Sequence, residues 1–163
     1  MIIFCDCFQF SEGLNILHLL YDPSDSRSYD IMSVLQLPSL NLSTESLQAL
    51  IRMSKQKHLS LYSTIQVALD TDSFLTKEEW SSLSRLISTV STLHNQTLQY
   101  PGSYLLYRFY QGIKEIPHIM EDSNRQASLL SLLNELMYLE DGHSPLLKAT
   151  FSTSFLRLHD YIE

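Results

Sequence analysis

Apolar residues recur every three or four positions through most of this chain, and this spacing constrains its fold more than any other feature. Such spacing places the side chains on one face of an α-helix, which has to be buried against another element. Thr76 and Glu79 have the spacing of a capping box, which predicts that a helix begins directly after Thr76. The apolar positions that follow are Trp80, Leu83, Leu86, Ile87, Val90 and Leu93.

Three further helices are predicted downstream. The first runs from about residue 103 to residue 116 and ends at Pro117, which cannot continue a helix. The second follows a cap at Asp122 and ends at Gly142, and the third begins at Ser144. Their predicted buried positions are Leu105, Phe109, Ile113 and Ile116, then Leu129, Leu132, Leu133, Leu136 and Leu139, and finally Leu147, Phe151, Phe155, Leu158 and Ile162.

The four helices superpose as two pairs when the sequence is shifted by 46 residues. Leu83 then falls on Leu129, and Leu86 falls on Leu132. A period of this length lies in the range of armadillo and HEAT repeats, and residues 76–163 resemble HEAT-like hairpins. Two helix pairs with similar loops in a bundle would align in the same way. A short helical-repeat array and a helical bundle therefore both remain open.

The upstream part of the chain is less regular. Ser43 or Thr44 caps a predicted helix, and residues 59–69 fit either a helix or a strand, of which we expect the helix. Residues 1–10 are β-branched and aromatic, which predicts a short β-strand or an apolar extension. We therefore expect one all-α domain over 1–163, built of antiparallel hairpins of six to eight helices, with a less regular segment over 1–42.

Composition excludes several classes of protein. The chain has 30 Leu and 24 Ser but only four Gly, so the glycine-rich phosphate loops and nucleophile elbows of many enzymes have nothing to be built from. A net charge of -7 argues against a nucleic-acid surface that depends on bulk positive charge. The six histidines show no metal-binding spacing. We expect no cofactor and no metal.

The compartment is predicted from what the first residues lack. No Lys or Arg precedes Arg27, so the basic region of a signal peptide is missing, and no apolar stretch is long enough for a membrane span. Cys5 and Cys7 are typical of a reduced compartment rather than of a disulfide framework. These features predict a protein of the cytoplasm or nucleus that does not contact a membrane.

One fragment favours an alternative in another functional class. Residues 2–6 form an apolar run that ends in Asp6, and this run resembles the nucleophile strand of haloacid-dehalogenase phosphatases. The resemblance implies a small α/β hydrolase, or a degenerate nucleotide-binding domain, with Asp6 at a strand end. It requires a strand over 59–69 and a second acid, such as Asp70 or Asp72, beside Asp6.

A group of aromatic residues around Arg108 favours a binding function. On the predicted second helix, Tyr104, Tyr107, Arg108 and Gln111 lie away from the buried positions. Tyrosine and arginine are enriched in the energetic centres of protein interfaces. The predicted partner-binding residues are Tyr104, Tyr107, Arg108, Tyr110 and Gln111.

The hypothesis from sequence is therefore a non-enzymatic interaction module, a regulatory or scaffold subunit of an intracellular complex. Its partner is expected to be another protein, with a homo-oligomer as an alternative, and to bind an apolar groove or the tyrosine-rich face. A Bcl-2-like bundle, whose groove receives a partner helix, also satisfies this hypothesis.

Overall fold

The computed structural model describes residues 2–24, 28–71 and 74–139 of the chain. Within these ranges every regular element is an α-helix and no strand occurs, which confirms the all-α prediction. The helices are α1 (Ile2–Tyr21), α2 (Ser28–Leu35), α3 (Thr44–Lys57), α4 (Leu61–Asp70), α5 (Lys77–His94), α6 (Gly102–Gly112), α7 (Ile116–Met120) and α8 (Ser123–Leu139).

Helix α1 is the centre of a helical bundle. It packs against α2, α5, α6 and α8, while the consecutive pairs α3 and α4, α4 and α5, and α5 and α6 also pack together. In a helical-repeat array each unit contacts only its neighbours in sequence, whereas here the first described helix contacts the last. The described part of the chain is therefore a bundle around α1 and not an open array.

The burial of α1 explains its central place. Ile16, Leu17, Leu19 and Leu20 are all buried, so the second half of this helix is apolar on several sides. A helix of this kind has to be surrounded by other elements. Apolar residues from α2, α4, α5, α6 and α8 complete the core, among them Ile31, Val34, Ile65, Leu83, Leu86, Leu105, Phe109 and Leu132.

Glu79 connects the first turns of α3 and α5. Its carboxylate accepts hydrogen bonds from the Thr76 amide at 3.1 Å, the Ser43 amide at 3.0 Å and the Ser46 hydroxyl at 2.9 Å. Thr76 and Ser43 are the N-caps of the two helices, and the predicted capping box of Thr76 and Glu79 is confirmed. One buried side chain thus satisfies amide groups that the starts of two helices leave unpaired.

We expect the free energy of unfolding to fall on acidification because Glu79 is ionised in the folded chain. Burial alone raises the pKa of this carboxyl group, but the hydrogen bonds from Ser43, Ser46 and Thr76 outweigh burial and lower the pKa below its ordinary value. The stabilisation is therefore complete above the pKa of the unfolded chain, about 4.3, and is lost as the pH falls through the lower pKa of the folded chain.

The measurement is urea denaturation between about pH 6 and about pH 3. Glu79→Gln should cost about 1–2 kcal/mol at neutral pH and should lose less stability on acidification than the unchanged protein. Glu78→Gln alters the exposed neighbouring carboxylate and is the matched control. Parallel pH profiles for Glu79→Gln and the unchanged protein would contradict the role of the ionised carboxylate.

Residues 2–10 correct the sequence prediction, because they belong to α1 and not to a β-strand. β-Branched and aromatic residues favour a strand only weakly, and here they form part of a continuous 20-residue helix. Residues 61–70 are helical too, as expected for the favoured interpretation of 59–69. The α/β alternative with Asp6 depends on strands in these two segments, and the prediction of those strands is therefore wrong. We do not propose this alternative further.

The end of α6 also differs from the prediction. The helix ends at Gly112 rather than at residue 116, and Lys114 then adopts a left-handed conformation with φ of 60°. The Glu115 amide donates to the Tyr110 carbonyl at 2.9 Å, which closes the helix as a Schellman motif. Pro117 does not end α6 but lies in the first turn of α7, where its missing amide costs nothing.

One apolar residue that the spacing placed on a buried face, Trp80, is partly exposed, and so is Leu14 of α1. Trp80 is 46% exposed, and its indole nitrogen donates to the Leu69 carbonyl at 3.1 Å near the end of α4. Leu14 is 45% exposed on α1. The predicted cap at Gly142 and the helix from Ser144 to Ile162, which is the second helix of the second pair in the 46-residue repeat, lie outside the described residues.

Candidate interaction surface on helix α6

The inward side of α6 determines which residues its outer side presents. Leu105, Leu106, Phe109 and Tyr110 are buried in the core. The same helix leaves Arg108 and Gln111 exposed and Tyr104 and Tyr107 half-buried. These positions follow from the helical repeat, since residues three or four apart share a face.

Four residues form an ordered row along the outer side of α6. The rings of Tyr100 and Tyr104 stack with their centroids 4.6 Å apart and an angle of 25° between their planes. The guanidinium carbon of Arg108 lies 6.0 Å from the centroid of Tyr104, within the range of a cation–π contact. Arg108 also donates to the Gln111 side-chain oxygen at 2.9 Å. Each side chain of the row is thus positioned by the next.

The turn before this row presents an unusually exposed apolar side chain. Leu98 is 99% exposed, so none of the described chain covers it. Single exposed leucines are ordinary, but this one lies two residues from Tyr100 at the start of the row. We define the α6 surface as Leu98, Tyr100, Tyr104, Tyr107, Arg108 and Gln111.

Tyr110 was predicted to bind a partner, but it lies in the core. Only 1% of it is exposed, and its hydroxyl donates to Glu12 at 2.7 Å. Burial, and then the negative charge of Glu12, raise the pKa of this phenol well above its ordinary value. The buried and exposed sides of α6 both carry aromatic residues, and the sequence pattern assigned Tyr110 to the wrong side.

A buried charge cluster lies behind Tyr110. Arg125 donates to Glu115 at 2.6 Å and to Glu12 at 3.0 Å, and its guanidinium carbon lies 5.9 Å from the centroid of Tyr110. The fully buried Glu115 also accepts a hydrogen bond from the Ser39 amide at 2.9 Å. The pKa of Arg125 is raised, because Glu12 and Glu115 outweigh the burial that opposes its charge.

This cluster joins parts of the chain that are distant in sequence: α1, the loop before α3, the α6–α7 turn and α8. Its members satisfy each other, and Glu115 has no access to solvent. The arrangement is that of a structural tie. A buried, fully paired group of this kind is not available to a partner that approaches from solvent.

The described residues contain no group of three or more His, Cys, Asp or Glu side chains arranged to hold a metal ion. His94 instead contacts the Leu20 carbonyl at the end of α1, with Nδ1 at 2.7 Å. His18 lies 3.9 Å from the buried Asp30. Both histidines therefore connect helices.

The partner-binding residues predicted from sequence do not include Leu98 or Tyr100. The spacing of four between Tyr100, Tyr104 and Arg108 indicates that these residues can share a row. Pro101 and Gly102 mark a helix break between the first two, so helical spacing alone does not join them. The start of α6 at Gly102 still allows Tyr100 to stack on Tyr104.

In the part of the chain that the structure describes, no helix has the length and apolar character needed to cross a bilayer. No protein-family model, curated protein or solved structure matches the chain.

Proposed function

We propose that this chain is a non-enzymatic protein–protein interaction module that binds a partner protein through the α6 surface. The observation that carries the proposal is the row of stacked Tyr100 and Tyr104 with Arg108 beside them, next to the fully exposed Leu98. Such a module would serve as a regulatory or scaffold subunit of a complex in the cytoplasm or nucleus.

The physical argument is one of preorganisation. Tyrosine and arginine contribute a large share of the binding energy in protein interfaces. Binding also costs free energy for each flexible side chain that becomes ordered. Tyr104 and Arg108 are already held by stacking and by the bond to Gln111, so much of this cost is met before a partner arrives. Tyr107, a half-buried member of the α6 surface, packs against the core.

We expect Tyr104→Ala and Arg108→Ala each to weaken partner binding by about 1–2 kcal/mol, because each removes a side chain typical of binding hot spots. Tyr107→Ala should also weaken binding without unfolding the chain. Thermal denaturation shows whether each variant is folded, and titration of the partner measures the loss. Tyr21→Ala and Arg52→Ala remove exposed residues of the same types on α1 and α3 and are the matched controls.

Site-specific photo-crosslinking in an extract of the source cells tests the proposal when no partner has been identified. A photoreactive residue replaces the exposed Gln111 in one variant and the exposed Gln48 of α3 in the control. We expect a protein crosslink at position 111, absent at position 48 and reduced by Arg108→Ala. Equal crosslinking at both positions, or none at 111, would reject the α6 surface as the binding site. A crosslink between two copies of the chain would identify a homo-oligomer instead.

A further inference from the structure

The charges of this chain are unevenly distributed along its sequence. All 18 Asp and Glu residues lie outside residues 80–114, the range that contains most of α5 and all of α6. The same range contains Arg85, Arg108 and Lys114. The remainder of the chain carries the other eight Lys and Arg residues together with every acid. Residues 80–114 of the α5–α6 hairpin are thus a positive segment in a chain of net charge -7, with Glu78 and Glu79 before it in the first turn of α5 and Glu115 directly after it.

Arg85, Arg108 and Lys114 differ from the buried Arg125 in their contacts with carboxylates. Arg125 contacts two carboxylates, whereas no described carboxylate lies within 4 Å of Arg85, Arg108 or Lys114. Arg108 contacts only the neutral Tyr104 and Gln111, so its charge is not neutralised within the described chain.

The two helices that carry Arg85 and Arg108 are in direct contact. A Cβ atom added at Gly112 of α6 would lie 2.6 Å from the Thr89 methyl group of α5, so the two helices touch there. Arg85 precedes Thr89 by one helical turn and shares its face. Arg108 precedes Gly112 by one turn, and Lys114 follows it by two residues. Arg85 and Arg108 therefore each lie one helical turn from this contact, and Lys114 follows the end of α6.

No exposed position of residues 80–114 carries an acid. Ser81, Ser88, Ser91 and Thr92 are exposed on α5, and none of them repels an anion. An approaching acidic group would therefore meet positive charge, neutral hydroxyls and tyrosine rings.

From this charge pattern we infer that the partner segment bound by the α6 surface is an acidic peptide in which Asp or Glu alternate with apolar residues. The inference deepens the proposed interaction function and depends on it. Carboxylates of the segment would pair with Arg108, Lys114 and Arg85. Its apolar residues would cover Leu98 and the exposed ring surfaces of Tyr100 and Tyr104.

Two physical considerations favour a carboxylate-bearing segment. The guanidinium of Arg108 can bind a carboxylate through two parallel hydrogen bonds, which gives geometric selectivity. The net negative charge of the chain does not prevent the approach, because salt limits electrostatic interactions to about 8 Å at physiological ionic strength. The charges nearest to the bound segment therefore contribute most to the field that it meets.

Fluorescence anisotropy with labelled peptides tests the inference on the full chain. The probe is a peptide of about 12 residues, long enough to span α6 if extended, in which Glu alternates with Leu or Phe. A matched peptide carries Gln in place of Glu, and a third carries Lys. We expect the Glu peptide to bind at least about tenfold more tightly than the Gln peptide. Its affinity should fall as NaCl rises from about 50 mM to about 300 mM.

Charge reversal locates the site. Arg108→Glu should weaken binding of the Glu peptide by about tenfold or more, and Arg52→Glu on α3 should leave it unchanged. Equal affinity for the Glu and Gln peptides would overturn the inference, and so would equal effects of the two reversals. Two further probes are a phosphatidylserine vesicle and an oligothymidylate. If either bound more tightly than the Glu peptide and lost its binding in the Arg108→Glu variant, the inference would be overturned in favour of an anionic membrane or a nucleic acid.

The failure of this inference can be told apart from the failure of the proposed function. A crosslinked partner at position 111 whose bound segment is neutral or basic would reject the acidic segment and leave the interaction module standing. Absence of any crosslink at position 111 would reject the α6 surface as the binding site, whatever the peptides do.

Discussion

Replacing Arg125 by methionine is expected to lower the free energy of unfolding by about 3–5 kcal/mol, because the change leaves a buried charge without its partner. Glu115 is fully buried and would keep only the hydrogen bond from the Ser39 amide. Glu12 would lose the same cation while still accepting from Tyr110. The side chain of Arg125 is only 15% exposed, so solvent screens this cluster far less than a surface ion pair.

The measurement is urea denaturation at neutral pH, with Arg52→Met on the exposed side of α3 as the matched control. We expect the control to change the free energy of unfolding by about 0.5 kcal/mol or less. The double variant Arg125→Met with Glu115→Gln should recover part of the loss, since a neutral amide is less costly to bury than an unpaired carboxylate. Equal losses for Arg125→Met and Arg52→Met would mean that the cluster is solvated and not a tie.

The parts of this fold that local signals encode could be predicted from sequence. Thr76 was predicted as a cap and Ser43 as one of two candidate caps beside Thr44, and α3 and α5 begin directly after Ser43 and Thr76. These predictions succeed because the atoms that make a cap lie within three residues of each other.

Features that depend on contacts between distant residues could not be predicted. Arg125 and Glu12 are 113 positions apart, and no local pattern indicates that they meet. Residues 1–10 were predicted from residue type alone to form a short strand or an apolar extension, whereas residues 2–10 belong to helix α1, which lies at the centre of the bundle. A weak local preference therefore did not decide the structure there.

The candidate surface was predicted only in part, because spacing within one helix does not reveal contacts with other helices. Helical spacing separated Arg108 and Gln111 from the buried Phe109, and the structure exposes both. Tyr110 was misassigned because its polar end is satisfied by Glu12 of α1, which sequence spacing within α6 cannot show. Leu98 was missed because it lies in a turn, where no periodic pattern applies.

Replacing Phe109 by alanine is expected to lower the free energy of unfolding by about 3–5 kcal/mol, the range observed when a large aromatic side chain is removed from a core. Phe109 is fully buried, and its ring meets that of Tyr110 edge to face with the centroids 6.0 Å apart. The loss should appear in thermal denaturation as a fall in Tm of roughly 10 °C. Phe109→Leu keeps most of the apolar volume and should cost less.

Tyr107→Ala is the comparison that separates the two sides of α6. Tyr107 is half-buried and borders the surface, so its removal should cost clearly less stability than that of Phe109. Equal losses for Tyr107→Ala and Phe109→Ala would place Tyr107 in the core and remove it from the α6 surface. Because one helix carries both the core residue and the proposed binding residues, a loss of binding counts for the surface only where the variant retains the Tm of the unchanged protein.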